Sequence, residues 1–139
     1  MSIFIVTDST ADFRDSLYDE YAKLFMVPLN LHIGDESYRE KIDITNEEFY
    51  RRLRKEKFFS KTSQASAGDF LIPFEKAKAG DEGMIFVLSS HISGTYQSAN
   101  MAAKILKERF IDINVIDTWS TSIGAGFMIE KACELSMQG

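Results

Sequence analysis

The sequence is short of the residues that build disulfide frameworks and metal sites. Its 139 residues include one cysteine, Cys133, and two histidines, His32 and His91. A single cysteine cannot form an internal disulfide, which favours a reducing compartment. There is no zinc spacing, P-loop or calcium loop, so we expect neither a metal nor a cofactor.

Basic residues are also outnumbered. Sixteen lysines and arginines stand against 21 aspartates and glutamates, giving a formal charge of −5. This is the wrong sign for a protein that binds the phosphate backbone, so nucleic acid is not an expected partner. A basic cluster at Arg51, Arg52, Arg54, Lys55 and Lys57 is typical of the solvated face of an amphipathic helix.

Long hydrophobic runs are absent as well. The apolar run at residues 3–6 is too short for a signal peptide or a membrane span and has no basic leader. We therefore expect no membrane span and a cytoplasmic protein. The composition is 45% hydrophobic and 12% aromatic, enough for a folded core, and the length fits one domain over residues 1–139.

Short apolar runs alternate with segments of helical periodicity. Strands are predicted at residues 3–6, 24–33, 84–88 and 113–117, with a shorter strand within 38–43. Helices are predicted after the first strand, from Thr45, from Ser66 to Gly80, after Thr95 and from Ser122 onward. This order predicts an α/β fold, a mostly parallel sheet flanked by helices.

Polar clusters follow the predicted strands, where open α/β sheets bind their ligands. They are residues 8–10, 89–95 and 117–118, and a fourth polar loop at 61–64 precedes a helix. The loop at 89–95 combines serine and threonine hydroxyls with Gly94 at a helix start, a composition able to hold an anion. Ordinary helix capping explains the same residues, and both interpretations remain open.

Catalytic chemistry is less well supported. Asp8 and Asp117 follow strands and could catalyse or bind, but carboxylates there more often cap a helix or orient a loop. No G-x-S-x-G motif accompanies the serines, so no catalytic residue is assigned. Gly124 and Gly126 lack the third glycine of a dinucleotide fingerprint and are interpreted as a packing feature.

Four segments together resemble one family. They are Asp8-Ser9-Thr10, the Lys-Thr-Ser-Gln-Ala-Ser run at 61–66, the Ser-Ser-His-Ile-Ser-Gly-Thr-Tyr-Gln-Ser-Ala run at 89–99, and Val-Ile-Asp-Thr at 115–118. In order and spacing they resemble the DegV family along nearly the entire chain. The resemblance implies the N-terminal lobe of a two-lobed cytoplasmic protein that holds a long-chain fatty acid in an apolar tunnel and presents its carboxylate to a partner fatty-acid kinase.

The resemblance also implies a set of binding residues. The hydroxyls of Thr62 and Ser93 match the partners of the carboxylate, and Ser63, Gly94 and Thr95 match positions that support the head pocket. The second lobe of the family is absent, which predicts an exposed apolar face that could pair two copies of the chain.

Two other functions remain open. DegV-type lobes are similar in outline to mannose-type phosphotransferase domains, so His91 is a candidate for a histidine-dependent phosphotransferase subunit. That family's acceptor lies after the first strand, where this chain has Asp8 and Ser9. The other possibility is an interaction module that binds no ligand.

Overall fold

The structure, a computed structural model, describes residues 1–55 and 59–139. Lys57 of the predicted basic cluster lies outside these ranges. The strands are β1 Ile3–Asp8, β2 Leu24–Val27, β3 Asn30–Ile33, β4 Glu36–Arg39, β5 Ser60–Ser63, β6 Glu82–Val87 and β7 Asp112–Asp117. The helices are α1 Leu17–Glu20, α2 Asn46–Lys55, α3 Ala67–Leu71, α4 Thr95–Glu108 and α5 Ser122–Gln138, and α3 continues into a 3-10 turn at Ile72–Phe74.

A four-stranded parallel sheet, in the order β2-β1-β6-β7, forms the centre of the fold. Successive residues of β1 point to opposite faces, so Val6 packs with α3 and α4 while Ile5 packs with α5. Both faces of the sheet are therefore covered by helices, which is why its two inner strands, β1 and β6, carry continuous apolar runs at residues 3–6 and 84–87. The predicted α/β class and mostly parallel sheet are confirmed.

A second sheet was not predicted. Strands β4, β3 and β5 form a small antiparallel sheet in that order. Residues 24–33, predicted as one strand, are two strands in different sheets separated at Pro28, whose missing N–H cannot contribute to a ladder. Strand β5 was interpreted as an irregular polar segment because its sequence, Ser-Lys-Thr-Ser, has no apolar alternation; pairing with β3 makes it a strand.

The helix starts were better predicted than their ends. Ser66 and Asp69 form the expected reciprocal capping box at α3. The helix does not run to Gly80: the α-helical part ends at Leu71, and Pro73 lies in the 3-10 turn, where it has no N–H to continue the helical hydrogen bonds.

Two other boundaries were wrong. The short helix α1 begins at Leu17 rather than in the polar cluster that follows β1, and strand β4 ends at Arg39 instead of running toward residue 43. Lys41 adopts a positive φ of 62°, a conformation incompatible with continued extended strand.

Helix α5 leaves an apolar groove beside the sheet. The groove encloses about 660 Å³ and is lined by Ile3, Ile5, Met84, Phe86, Phe127, Met128, Lys131, Ala132, Leu135, Ser136 and Gly139. Phe127 is 67% exposed, so the groove presents a large aromatic ring to solvent. Gly126 packs against Asp12, where a Cβ would overlap the Asp12 carbonyl oxygen, which confirms the packing interpretation of this glycine.

Among the described residues, no helix combines the length and apolarity needed to cross a membrane.

Candidate functional site

The loop after β6 folds back on itself before α4 begins. The N–H of Ser89 donates to the carbonyl of Ser120 at 3.0 Å, and the carbonyl of Ser89 accepts from the N–H groups of Ile92 and Ser93 at 3.1 and 3.2 Å. These bonds close a tight turn at the carboxyl end of a buried strand. Ser93 and Gly94 are thereby placed at the first turn of α4.

The hydroxyl of Ser93 fits both interpretations left open by the sequence, helix capping and anion binding. Its Oγ accepts from the N–H of Thr95 at 3.2 Å, which satisfies one of the free donors at the start of α4. It also lies 2.9 Å from the Thr95 Oγ1. Ser93 is half-buried, whereas Thr95 is fully buried beneath it, so Ser93 is accessible and Thr95 supports it.

Strand β5 carries two more of the expected residues. Thr62 and Ser63 are both exposed, and as neighbours in a strand they point to opposite faces of the small sheet. The Ser63 Oγ lies 3.0 Å from the Nε2 atom of His32, whose Nδ1 lies 2.8 Å from the Ser37 Oγ. His32 therefore connects all three strands of the small sheet through side chains, with Ser63 as one of its partners.

The two segments meet around one cavity of about 460 Å³, which we call the head cavity. One side, the strand wall, is formed by residues 62–64, and the opposite side, the loop wall, by residues 88–94. The lining residues are Leu29, Thr62, Ser63, Gln64, Leu88, Ile92, Ser93 and Gly94. Four of the five predicted site residues therefore line one cavity, and the fifth, Thr95, packs against Ser93. Among the residues that the structure describes, none that lines the cavity carries a formal charge.

Asp8 fixes the end of β1 to the loop wall. It is 1% exposed; its Oδ1 accepts from the N–H and the hydroxyl of Thr10 at 2.9 and 2.6 Å, and its Oδ2 accepts from the N–H of Leu88 at 2.7 Å. Burial raises the pKa of the Asp8 carboxyl, and the three hydrogen bonds oppose that rise. Asp8 thus orients the loop that follows β1 and holds one lining residue.

Ser9 has the corresponding role on the other side of the cavity. Its hydroxyl donates to the Glu40 Oε2 at 2.5 Å and accepts from the N–H of Leu29 at 2.9 Å. Ser9 is itself fully buried. Asp8 and Ser9 do not line the head cavity, but together they hold the backbone of Leu88 and Leu29, which do.

Asp117 closes the loop wall from β7. Its Oδ1 accepts from the N–H groups of Ser90 and Trp119 at 3.2 and 3.0 Å, and hydrogen bonding from Ser90 lowers its pKa. Trp119, at a positive φ of 52°, is 73% exposed. Its ring meets the His91 ring edge-on, with the centroids 4.7 Å apart. The aromatic pair therefore lies on the outside of the loop rather than in the cavity.

Sequence reasoning missed part of the lining. Leu29 and Leu88 are apolar residues next to strand ends and carry no local signal of a site, and Ile92 lies in the 89–95 loop but was not assigned a role. Gln64 belongs to the Thr-Ser-Gln run but was not assigned a role. Among the described residues, no group of three His, Cys, Asp or Glu side chains is placed to hold a metal ion.

Comparison with known proteins relates this chain to one family. The model of the family described as uncharacterised proteins of the DegV family matches residues 2–139. A DegV domain-containing protein of Caldanaerobacter subterraneus subsp. tengcongensis is 38% identical over 138 residues, which is 99% of this chain and 48% of that protein. The chain thus spans about half the length of the curated relatives it matches.

Solved structures agree with this relation. The crystal structure of DegV, described as a fatty acid binding protein of Bacillus subtilis, superposes with a TM-score of 0.89 at 33% identity, covering 100% of this chain and 49% of that one. A stearic acid-binding protein of Eubacterium ventriosum superposes with a TM-score of 0.87 at 27% identity, covering 100% of this chain and 48% of that one.

Proposed function

The chain belongs to the DegV family, and from that premise we propose that it is a lobe that binds the carboxylate of a long-chain fatty acid in the head cavity. Two solved relatives are named as fatty-acid-binding proteins. The observation that carries the proposal is that the strand wall and the loop wall, which bear the family motifs, surround one cavity.

The chemistry of the cavity suits an anionic head group held without a counter-charge. Thr62 and Ser93 offer hydroxyl donors from opposite walls, and the start of α4 adds the positive end of a helix dipole. A hydrogen bond to a charged acceptor contributes about 1.5–3 kcal/mol. Neutral donors of this kind bind a carboxylate while leaving its charge available to a second protein.

The remaining lining residues suit the start of an acyl chain. Leu29, Leu88 and Ile92 place apolar side chains beside the hydroxyls. Each methylene removed from water contributes roughly 0.8 kcal/mol. Burial of the chain would therefore supply most of the affinity, and the hydroxyls would set the orientation of the carboxylate.

The proposal is tested by removing the two hydroxyls. We expect the double variant Thr62→Val with Ser93→Ala to bind oleic acid roughly 100-fold more weakly, since each lost bond to a charged acceptor costs about tenfold. Thr121→Val with Ser16→Ala is the matched control, because it makes the same two changes at exposed residues outside the cavity. Affinity is measured by titration calorimetry, and fatty acid that co-purifies is identified by mass spectrometry after denaturing extraction.

Unchanged affinity in the double variant would show that the carboxylate is not bound by Thr62 and Ser93 in the head cavity. Absence of binding in the unmodified protein would instead favour the interaction module that binds no ligand.

The bound carboxylate would be presented to a partner fatty-acid kinase in the cytoplasm. The kinase supplies the catalytic groups in this proposal, and the lobe supplies the position of the carboxylate. Adding a fatty-acid kinase and ATP to the lipid-loaded protein tests the idea: phosphorylated fatty acid should form at a rate that rises with the concentration of the loaded protein. A rate independent of that concentration would contradict it.

Self-association and phosphotransfer stay predictions. Pairing of two copies through the apolar groove beside α5 would be weakened by Phe127→Glu, which sedimentation velocity can measure.

Phosphotransfer through His91 would require a phosphohistidine that His91→Ala abolishes. The packing of His91 against Trp119, outside the head cavity, does not favour that reaction.

A further inference from the structure

The two walls of the head cavity belong to different sheets. The strand wall lies at the end of β5 in the small antiparallel sheet, and the loop wall begins directly after β6 of the parallel sheet. A ligand that bonds to Thr62 and Ser93 together requires a defined separation of these walls. Some contact between them must therefore set that separation.

Gln64 makes such a contact. It directly follows β5, and its Nε2 donates to the Oγ of Ser98 at 3.1 Å, one turn into α4. Its side-chain oxygen lies so close to Gly94 that a Cβ added there would overlap it. The carboxamide of Gln64 thus spans the first turn of α4, from Gly94 to Ser98.

The backbone at position 94 does not itself require glycine, and the absence of a side chain there leaves room for this contact. Gly94 has φ −77° and ψ 3°, values that residues with side chains adopt readily. A residue with a Cβ would fit the backbone but would occupy the place of the Gln64 carboxamide. Gly94 and Gln64 are therefore complementary across the two walls.

We propose that Gln64 is a positioning residue: by packing on Gly94 and bonding to Ser98, it holds the strand wall at the distance from the loop wall that the ligand requires. The proposal rests on the proposed function for its effect on affinity. It goes beyond that function in assigning the separation of the walls to one side chain that is not itself a hydroxyl donor to the carboxylate.

A double-mutant cycle tests the proposal. Gly94→Ala alone should displace the Gln64 side chain and weaken oleic acid binding about fivefold to tenfold, and Gln64→Ala should weaken it to a similar extent. Adding Gly94→Ala to Gln64→Ala should change the affinity by less than about twofold, since the space is then empty. Gly68→Ala in α3 is the matched control, because a Cβ there meets only the Ser66 Oγ at an ordinary 3.5 Å.

A second measurement separates this proposal from the proposed function. Hydrogen exchange of the β5 amides, measured without lipid, should accelerate in either single variant, with no further acceleration when the two are combined. Additive effects of the two substitutions on both affinity and exchange would overturn the role of Gln64. If the unmodified protein binds no oleic acid, the proposed function fails, and the exchange result alone decides whether Gln64 holds the walls: unchanged exchange in the single variants overturns it.

Discussion

The parallel sheet and the small antiparallel sheet differ in how much of each is buried. The parallel sheet lies between helices, and its core includes Val6, Ile85 and Leu106, all fully buried. In the described ranges, the core of the small sheet is formed by the buried residues Leu31, Ile33 and Ile44, and its strand β5 is largely exposed. The head cavity joins the two: the loop wall continues a strand of the large core, while the strand wall belongs to the small sheet and is followed by Ala65, which is buried in the large core.

The largest effect should come from the core of the parallel sheet. Ile85→Ala removes a fully buried side chain between helix layers, and we expect it to lower the free energy of unfolding by about 3–4 kcal/mol. Ile33→Ala is the matched change in the small sheet, with an expected loss of about 2 kcal/mol because the smaller core can relax around the deletion. Urea denaturation followed by circular dichroism measures both. Equal losses would show that the two cores are equally constrained.

Asp8, at the end of β1, gives a pH-dependent test of the parallel sheet. In Asp8→Asn a side-chain N–H replaces an acceptor oxygen and opposes one of the donor groups, so we expect a loss of about 2 kcal/mol. The pKa of the Asp8 carboxyl is raised above 3.8 in the folded protein, so protonation of Asp8 stabilises the folded state. This contribution to the free energy of unfolding is complete at low pH and declines as the pH rises through the folded pKa. The difference in stability between the protein and the variant should therefore narrow from pH 3 toward neutrality. A difference that widens would contradict this sign.

His32 tests the small sheet through its side chains. His32→Ala removes the contacts to Ser37 and Ser63, and we expect a loss of about 1 kcal/mol. Hydrogen exchange of the β5 amides should rise more than that of the β6 amides, because β6 lies inside the parallel sheet. Uniform acceleration of both strands would mean that the small sheet does not open separately.

The smallest effect should come from an exposed ion pair beside the small sheet. Asp43 accepts from the N–H and the guanidinium of Arg39, and its pKa is lowered to about 2, chiefly by the guanidinium hydrogen bonds. Its contribution is present at neutral pH and is lost as the pH falls from 3.8 toward 2, opposite in sign to that of Asp8. In Asp43→Asn this acid-side loss should disappear, as measured by denaturation from pH 2 to 5. At neutral pH and high salt the variant should remain close to the unmodified protein in stability.

Local patterns were enough to predict strands β1, β6 and β7 of the parallel sheet and the helix between β6 and β7. The run that became β6 is apolar without alternation because both faces of that strand are covered, and the strand, helix and strand from β6 to β7 follow the expected order. The capping box of Ser66 and Asp69 was equally predictable from the sequence, since both partners lie within one turn. The length of α3 was not, because Pro73 ends the helical hydrogen bonds before Gly80.

The candidate site could be predicted only in part from the sequence. Ser93 and Gly94 lie in a polar loop after a buried strand, which is a recognisable position. Thr62 and Ser63 lie in a polar segment without periodicity, and only the family resemblance gave them a binding role. Ile92 lies in the same polar loop, but nothing in the sequence marked this aliphatic side chain as part of the cavity lining.

The sequence by itself determined the apolar strands β1, β6 and β7, the starts of α2 to α5 and the hydroxyl-rich loops, because those features depend on residues within a few positions of each other. Only the tertiary structure decided that β5 is a strand, since it becomes one by pairing with β3. The same pairing brings Thr62 and Gln64 opposite Ser93 and Gly94. The head cavity exists because two sheets with separate cores meet there, and that juxtaposition comes from long-range packing that no local pattern encodes.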